Sequence, residues 1–139
     1  MQPVFVRLHL TIRKNMEFLK NPLFEISPEV LEALTSNKPI ISLESSAITH
    51  GIPFPENIET FNTMQTIIRQ NNIVPALIGV LNGKIKLGFS DKDIEYMVKG
   101  TNPVKLNSAD ISWALCNHLT GGTTISATTF ISKIAGIEF

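Results

Sequence analysis

Two groups of residues have the types and spacing that chemistry requires. The first is a lone carboxylate, Glu44, which closes the apolar run "KPIISLE" just before the polar loop "SSAITHGIPFPEN". Open α/β sheets hold ligands at the carboxyl ends of their strands. A carboxyl screened from water there has its pKa raised, which suits a general acid. The alternative is a structural carboxylate that accepts N–H bonds from its own loop. The second group is "GGTTISATT", where glycines let a ligand approach the backbone and a helix N-terminus offers free N–H groups to an anion. Lys105, on the brief run "PVKL", adds a point charge suited to a phosphate. The alternative here is a Gly-Gly turn capped by Thr123, with Lys105 solvated.

Other apparent motifs fail on spacing. In "GVLNGKIK" the glycine upstream of Gly83-Lys84 is too close, and Ile85 stands where a P-loop needs Ser or Thr for magnesium. His9, His50 and His118 lack metal-ligand spacing. Ser45, His50 and Asp110 could be assembled into a triad, but no GxSxG elbow supports one.

These residues must be held by alternating elements. "ISPEVLEAL" predicts a helix, with Ser27 as cap, Pro28 in the first turn and Glu29 complementing the dipole. "KPIISLE" predicts a short buried strand, and 45–55 a loop. Ile58, Phe61, Met64, Ile67 and Ile68 recur at helical spacing. "VPALIGVL" reads as a strand buried on both sides. Asn82-Gly83 then signals a hairpin into "KIKLGF". "SDKDIEYMVKG" and "NSADISWALCNHL" predict capped helices flanking the strand "PVKL". A last helix starts after Gly121-Gly122 and stops at Gly136. The sum is a layered α/β/α fold with a mixed, mostly parallel sheet and a β-hairpin. "GIEF" at the end resembles the start of a strand, so the fold is expected to continue past Phe139.

Composition narrows the function classes. The 139 residues suffice for one domain, and 12 basic residues balance 12 acidic ones. No basic stripe suggests nucleic acid, and no apolar run is long enough to span a bilayer. One cysteine, Cys116, excludes an internal disulfide and is expected to be a buried thiol on an amphipathic helix. Residues 1–20 are read as an N-terminal extension, basic at Arg7, Arg13 and Lys14 with no acid before Glu17. That profile allows organelle import. The expected location is cytoplasmic, with mitochondria as the alternative.

Longer blocks carry a resemblance. "SLESSAITHGIPFPENIET" is similar to "ALESTIITHGMPYPQN" of the pseudouridine-5′-phosphate glycosidase (pseudouridylate synthase) family. "VPALIGVLNGKIKLGFS" resembles that family's "VPATIAILDGRIKVGLS", "VKLNSAD" its "VKVSRRD", and "NHLTGGTTISATTFISKIAGI" its "GLNGGTTVAATMILAALAGI". The similarity runs from about Ile26 to Phe139, so residues 21–139 are read as the N-terminal part of such a domain.

The resemblance implies reversible cleavage of a C–C glycosidic bond, giving uracil and ribose 5-phosphate. It also implies manganese, a lysine that forms a Schiff base with the opened sugar, and a homotrimer. A C–C bond has no leaving heteroatom to protonate, so ring opening supplies the electron sink. By motif, Glu44 matches the proton donor, while Lys105 and Ile125 match substrate-binding positions. Ser108 and Ala109 depart from the family, standing where it has paired arginines. The family's manganese aspartate and nucleophilic lysine fall beyond the strand starting at Ile137, so this chain matches no metal ligand. Two readings stay open: a glycosidase by family, or an inactive fragment or remnant that binds a phosphosugar. Some relatives carry a fused kinase domain.

Overall fold

The computed structural model describes residues 16–100 and 102–137. The basic opening falls outside it as far as residue 15, as do Glu138 and Phe139 of the expected terminal strand.

After a 3-10 turn at Met16–Lys20 come β1 (Phe24–Ile26), α1 (Pro28–Thr35), β2 (Ile40–Glu44) and α2 (Glu56–Gln70). The hairpin β3 (Val74–Leu81) and β4 (Lys84–Leu87) leads to α3 (Asp91–Glu95), β5 (Val104–Leu106) and α4 (Ile111–Cys116). β6 (Gly121–Thr123) and α5 (Ile125–Ala135) follow. The six strands form one sheet in the order β1-β4-β3-β6-β5, with β2 also on β3. β1/β4, β2/β3 and β5/β6 are parallel, whereas β3 runs antiparallel to β4 and β6.

β3 is the axis because its eight residues are apolar or small throughout and seven are buried. Successive side chains leave a strand on opposite faces, so β3 feeds two cores. Ile78 and Val80 join Val30 of α1, Ala114 of α4 and Ile131 of α5 on one face. Leu77 joins Ile48, Phe61 of α2 and Ile94 of α3 on the other. Helices thus cover both faces, as the alternating pattern predicts.

The local signals act as read. Ser27 Oγ accepts the Val30 N–H at 3.3 Å, and Ser90 and Asp93 form a reciprocal capping box. Asn82 (φ 48°) and Gly83 (φ 75°) make the hairpin turn in the left-handed region. Gly136 at φ 69° ends α5.

Several expectations need correction. Gly121–Thr123 is a strand, β6, and not a turn; β1 carried no recognised signal. β2 is half-buried instead of buried, with Ile41 40% exposed. The 45–55 loop contains a π-helical turn at Ala47–Gly51. Cys116 is exposed: α4 buries Ile111 and Ala114, and position 116 falls on its outer side.

Candidate functional site

The sheet forks beside Ile78. β2 pairs with β3 as far as Glu44, opposite Ile78, and stops. β6 approaches along the same edge from the other direction, pairing Gly121 and Gly122 with Val80 and Gly79. The carboxyl ends of two oppositely directed strands therefore meet in mid-sheet. β5, parallel to β6, ends beside them. Such a switch in strand direction is where open α/β sheets leave a crevice for ligands.

A break in the ladder would orphan backbone groups, and buried hydroxyls prevent this. Ser45 and Thr123, both fully buried, each donate a hydroxyl proton to the Ile78 carbonyl at 2.6 Å. Ser45 Oγ in turn accepts the Thr123 N–H at 2.9 Å. Thr123 Oγ1 has already given its proton away, so at 2.9 Å it accepts from the Thr128 hydroxyl of α5. One turn on, Ser132 donates to the Thr128 carbonyl and lies 2.7 Å from Ser42 Oγ of β2. This seam fixes the strand carrying Glu44 to the helix that begins at Ile125.

Glu44 sits at the mouth of the fork, half-buried. Among the described residues its carboxylate has no hydrogen bond or ion pair, so the loop does not hold it in the structural way first considered. Lys105 lies in mid-β5 opposite Gly122, exposed and likewise without a partner among the described residues. Ile125 opens α5 and is 73% exposed. The N-cap, Thr124, makes no side-chain cap, and no acid occupies the first turn. The Thr124 N–H donates to the Leu106 carbonyl at 2.9 Å, tying this terminus to the end of β5.

The structure thus brings all three expected site residues to one fork. It does not aim them alike. Register puts Glu44 on the side of Ile78, and Lys105 on the side of Gly122 and Gly79. A ligand held by both would sit beyond the strand ends.

The glycines do not open a cradle. A Cβ on Gly122 would lie 2.2 Å from Thr49 Oγ1, and one on Gly121 would lie 2.5 Å from Leu106 Cδ1. Their bareness serves packing of this chain's own side chains. The suggested triad also dissolves. Ser45 is committed to the seam, His50 bonds Thr49 and Pro103, and Asp110 caps the Asn107 N–H at 2.9 Å. Sequence reasoning missed the roles of Thr123, Thr128 and Ser132. One signal was available: Thr128 and Ser132, four apart, interrupt the buried face of α5 formed by Ala127, Ile131 and Ala135. No group of three or more His, Cys, Asp or Glu that could hold a metal converges among the described residues. None of the described helices is long and apolar enough to cross a membrane.

Residues 29–139 match the family model described as indigoidine synthase A like protein. A pseudouridine-5′-phosphate glycosidase of Clostridium botulinum is 45% identical over 115 residues, covering 82% of this chain and 38% of that protein. The enzyme of the same name from Caldanaerobacter subterraneus is 38% identical over 118 residues, covering 85% and 38%. The chain therefore spans well under half the length of these relatives. Among solved structures, the prealnumycin C-glycosynthase AlnA in complex with ribulose 5-phosphate superposes with a TM-score of 0.76 at 34% identity, over 85% of this chain and 38% of that one. An indigoidine synthase A-like protein of Thermotoga maritima gives 0.73 at 31% identity, over 83% and 37%.

Proposed function

Because the chain belongs to the indigoidine synthase A like protein family, we propose that its fork is the acid-bearing part of a site that makes or breaks the C–C glycosidic bond of pseudouridine 5′-phosphate. The supporting observation is Glu44: a half-buried carboxylate at a strand's carboxyl end, unpartnered among the described residues, beside an uncapped helix N-terminus. Glu44 holds the proton for the sugar ring oxygen or the uracil carbon. Lys105 supplies a positive charge to the phosphosugar, and the backbone at Ile125 supplies N–H donors. Relatives of similar sequence are named for pseudouridine 5′-phosphate, and one of similar fold was solved with ribulose 5-phosphate. The substrate class is accordingly a pentose phosphate joined through carbon.

The experiment incubates the protein with pseudouridine 5′-phosphate and manganese and follows free uracil by liquid chromatography. Where turnover occurs, Glu44→Gln should lower it about 100-fold or more while leaving substrate affinity near wild type. Unchanged turnover would remove Glu44 from the mechanism.

A second reading, phosphosugar binding without turnover, has its own support. Lys105 is the lysine at the fork. Lys133, in the last turn of α5, lies eight residues beyond Ile125, roughly 12 Å along the axis. Neither matches the family's attacking amine. In that case calorimetry with ribose 5-phosphate registers binding, Lys105→Ala weakens it, and no uracil appears.

A further inference from the structure

We propose that His50 is a positioning residue that fastens the turn following Glu44 to the strand carrying Lys105. Thr49 Oγ1 lies 2.7 Å from His50 Nδ1, and His50 Nε2 lies 3.0 Å from the Pro103 carbonyl oxygen. A carbonyl oxygen only accepts, so Nε2 carries the proton. In the neutral ring Nδ1 is then bare, and the single Thr49 hydroxyl proton, which also lies within reach of the Ser45 carbonyl at 3.0 Å, goes to the nearer Nδ1 at 2.7 Å. Both ring nitrogens are engaged, each by a different arm of the fork.

The location gives the link its meaning. Thr49 stands over Gly122, where a Cβ would come within 2.2 Å of its hydroxyl. Gly122 is the register partner of Lys105, so Thr49 and His50 occupy the side of the sheet from which Lys105 projects. Pro103, the other anchor, precedes Lys105 by two residues and leads into β5. The bond joins residues 53 apart in sequence, across β6, from the turn at Ala47–Gly51 to the start of β5. The seam made by Ser45 and Thr123 ties β2 to β6, and the imidazole ties the same turn onward to β5. His50 thereby sets the separation between the acid's strand end and the lysine.

This rests on the reading of Glu44 and Lys105 given above, and two arms separate the ideas. In the first, the full chain is labelled with 15N and no ligand is added. Long-range imidazole spectra should show His50 as the Nε2–H form, and His50→Ala should shift the amide signals of Val104 and Lys105 and speed their hydrogen exchange. A ring protonated on Nδ1 alone, or undisturbed β5 amides, would overturn the proposal whether or not the protein binds sugar phosphates. In the second arm, ribose 5-phosphate is titrated calorimetrically. His50→Ala should weaken binding about tenfold, while His50→Gln, whose amide N–H still reaches toward Pro103, should recover most of the loss. Wild-type binding that His50→Ala leaves within about twofold would also overturn it. Absence of wild-type binding would count against the functional reading instead, with the spectra deciding the fate of His50.

Discussion

β3 has two unlike flanks. On the β4 side the ladder is continuous, pairing Ile78 through Leu81 with Leu87 through Lys84. Ile85 and Leu87 point into the core, while Lys84 and Lys86 meet Glu25 of β1 at 2.8 and 3.2 Å. On the other side the ladder is broken, with β2 ending where β6 ends from the opposite direction. Hydroxyls fill the gap, and it is bordered by the uncapped helix terminus and by an acid that has no partner among the described residues. One flank is built for stability by alternating apolar and charged residues. The other keeps a hole in the hydrogen-bond pattern open, at the cost of placing several small polar groups in the core.

If that contrast is right, the broken flank should tolerate change worst where it is tightest. Gly122→Ala should be more damaging than loss of any one hydroxyl of the seam, since its methyl carbon meets Thr49 Oγ1 far inside contact distance. A loss of about 3 kcal/mol is expected from urea unfolding, against about 1 kcal/mol for Ile85→Val on the β4 side. Equal effects at the two positions would erase the distinction.

Next come the hydroxyls, and they should not be equal. Ser45→Ala leaves the buried Thr123 N–H without an acceptor, costing about 2 kcal/mol. Thr123→Val leaves the Ile78 carbonyl still served by Ser45, and the Thr128 hydroxyl that loses its acceptor can turn to a carbonyl of its own helix, so about 1 kcal/mol is expected. Denaturant midpoints of the two variants, compared at constant slope, give the order. A reversed order would mean that Thr123, not Ser45, holds the fork.

The same contrast explains what could be read in the sequence. The intact flank announces itself locally: "VPALIGVL", Asn82-Gly83 and the Ser90/Asp93 box each carry a signal within a few residues. The broken flank does not. Gly121-Gly122-Thr123 has almost no strand propensity, and it is extended because Gly79 and Leu106 pair with it across the sheet. Ser45 finds Thr123 78 residues away, a partnership that no local spacing shows. Glu44 and Lys105 were singled out by position and charge, and Ile125 only by the longer blocks of resemblance. The opposed directions of the first two on the sheet were not legible, because register decides that.

The smallest effect sharpens the comparison through pH. The Lys84 ammonium, bonded to Glu25, holds that carboxyl below its ordinary value of 4.5 against some burial, with Lys86 assisting. Burial pushes the Asp93 carboxyl up, but the Ser90 N–H and hydroxyl together with Lys86 outweigh it and keep it below 3.8. A carboxyl whose pKa is lower in the folded chain stabilises the fold above its unfolded pKa and ceases to do so as pH falls through the folded one. The β4 flank should therefore lose its ionic contribution as the solution is acidified below about pH 4.5, whereas the seam of neutral hydroxyls has nothing to titrate. Glu25 is largely solvated, so Glu25→Gln should cost no more than about 0.5 kcal/mol at pH 7 and nothing measurable near pH 2. The penalty of Ser45→Ala should stay the same at both values. Thermal unfolding of the two variants and the wild type at pH 7 and at low pH reads this directly. A penalty for Ser45→Ala that fades with acid would show that a titrating group takes part in the fork.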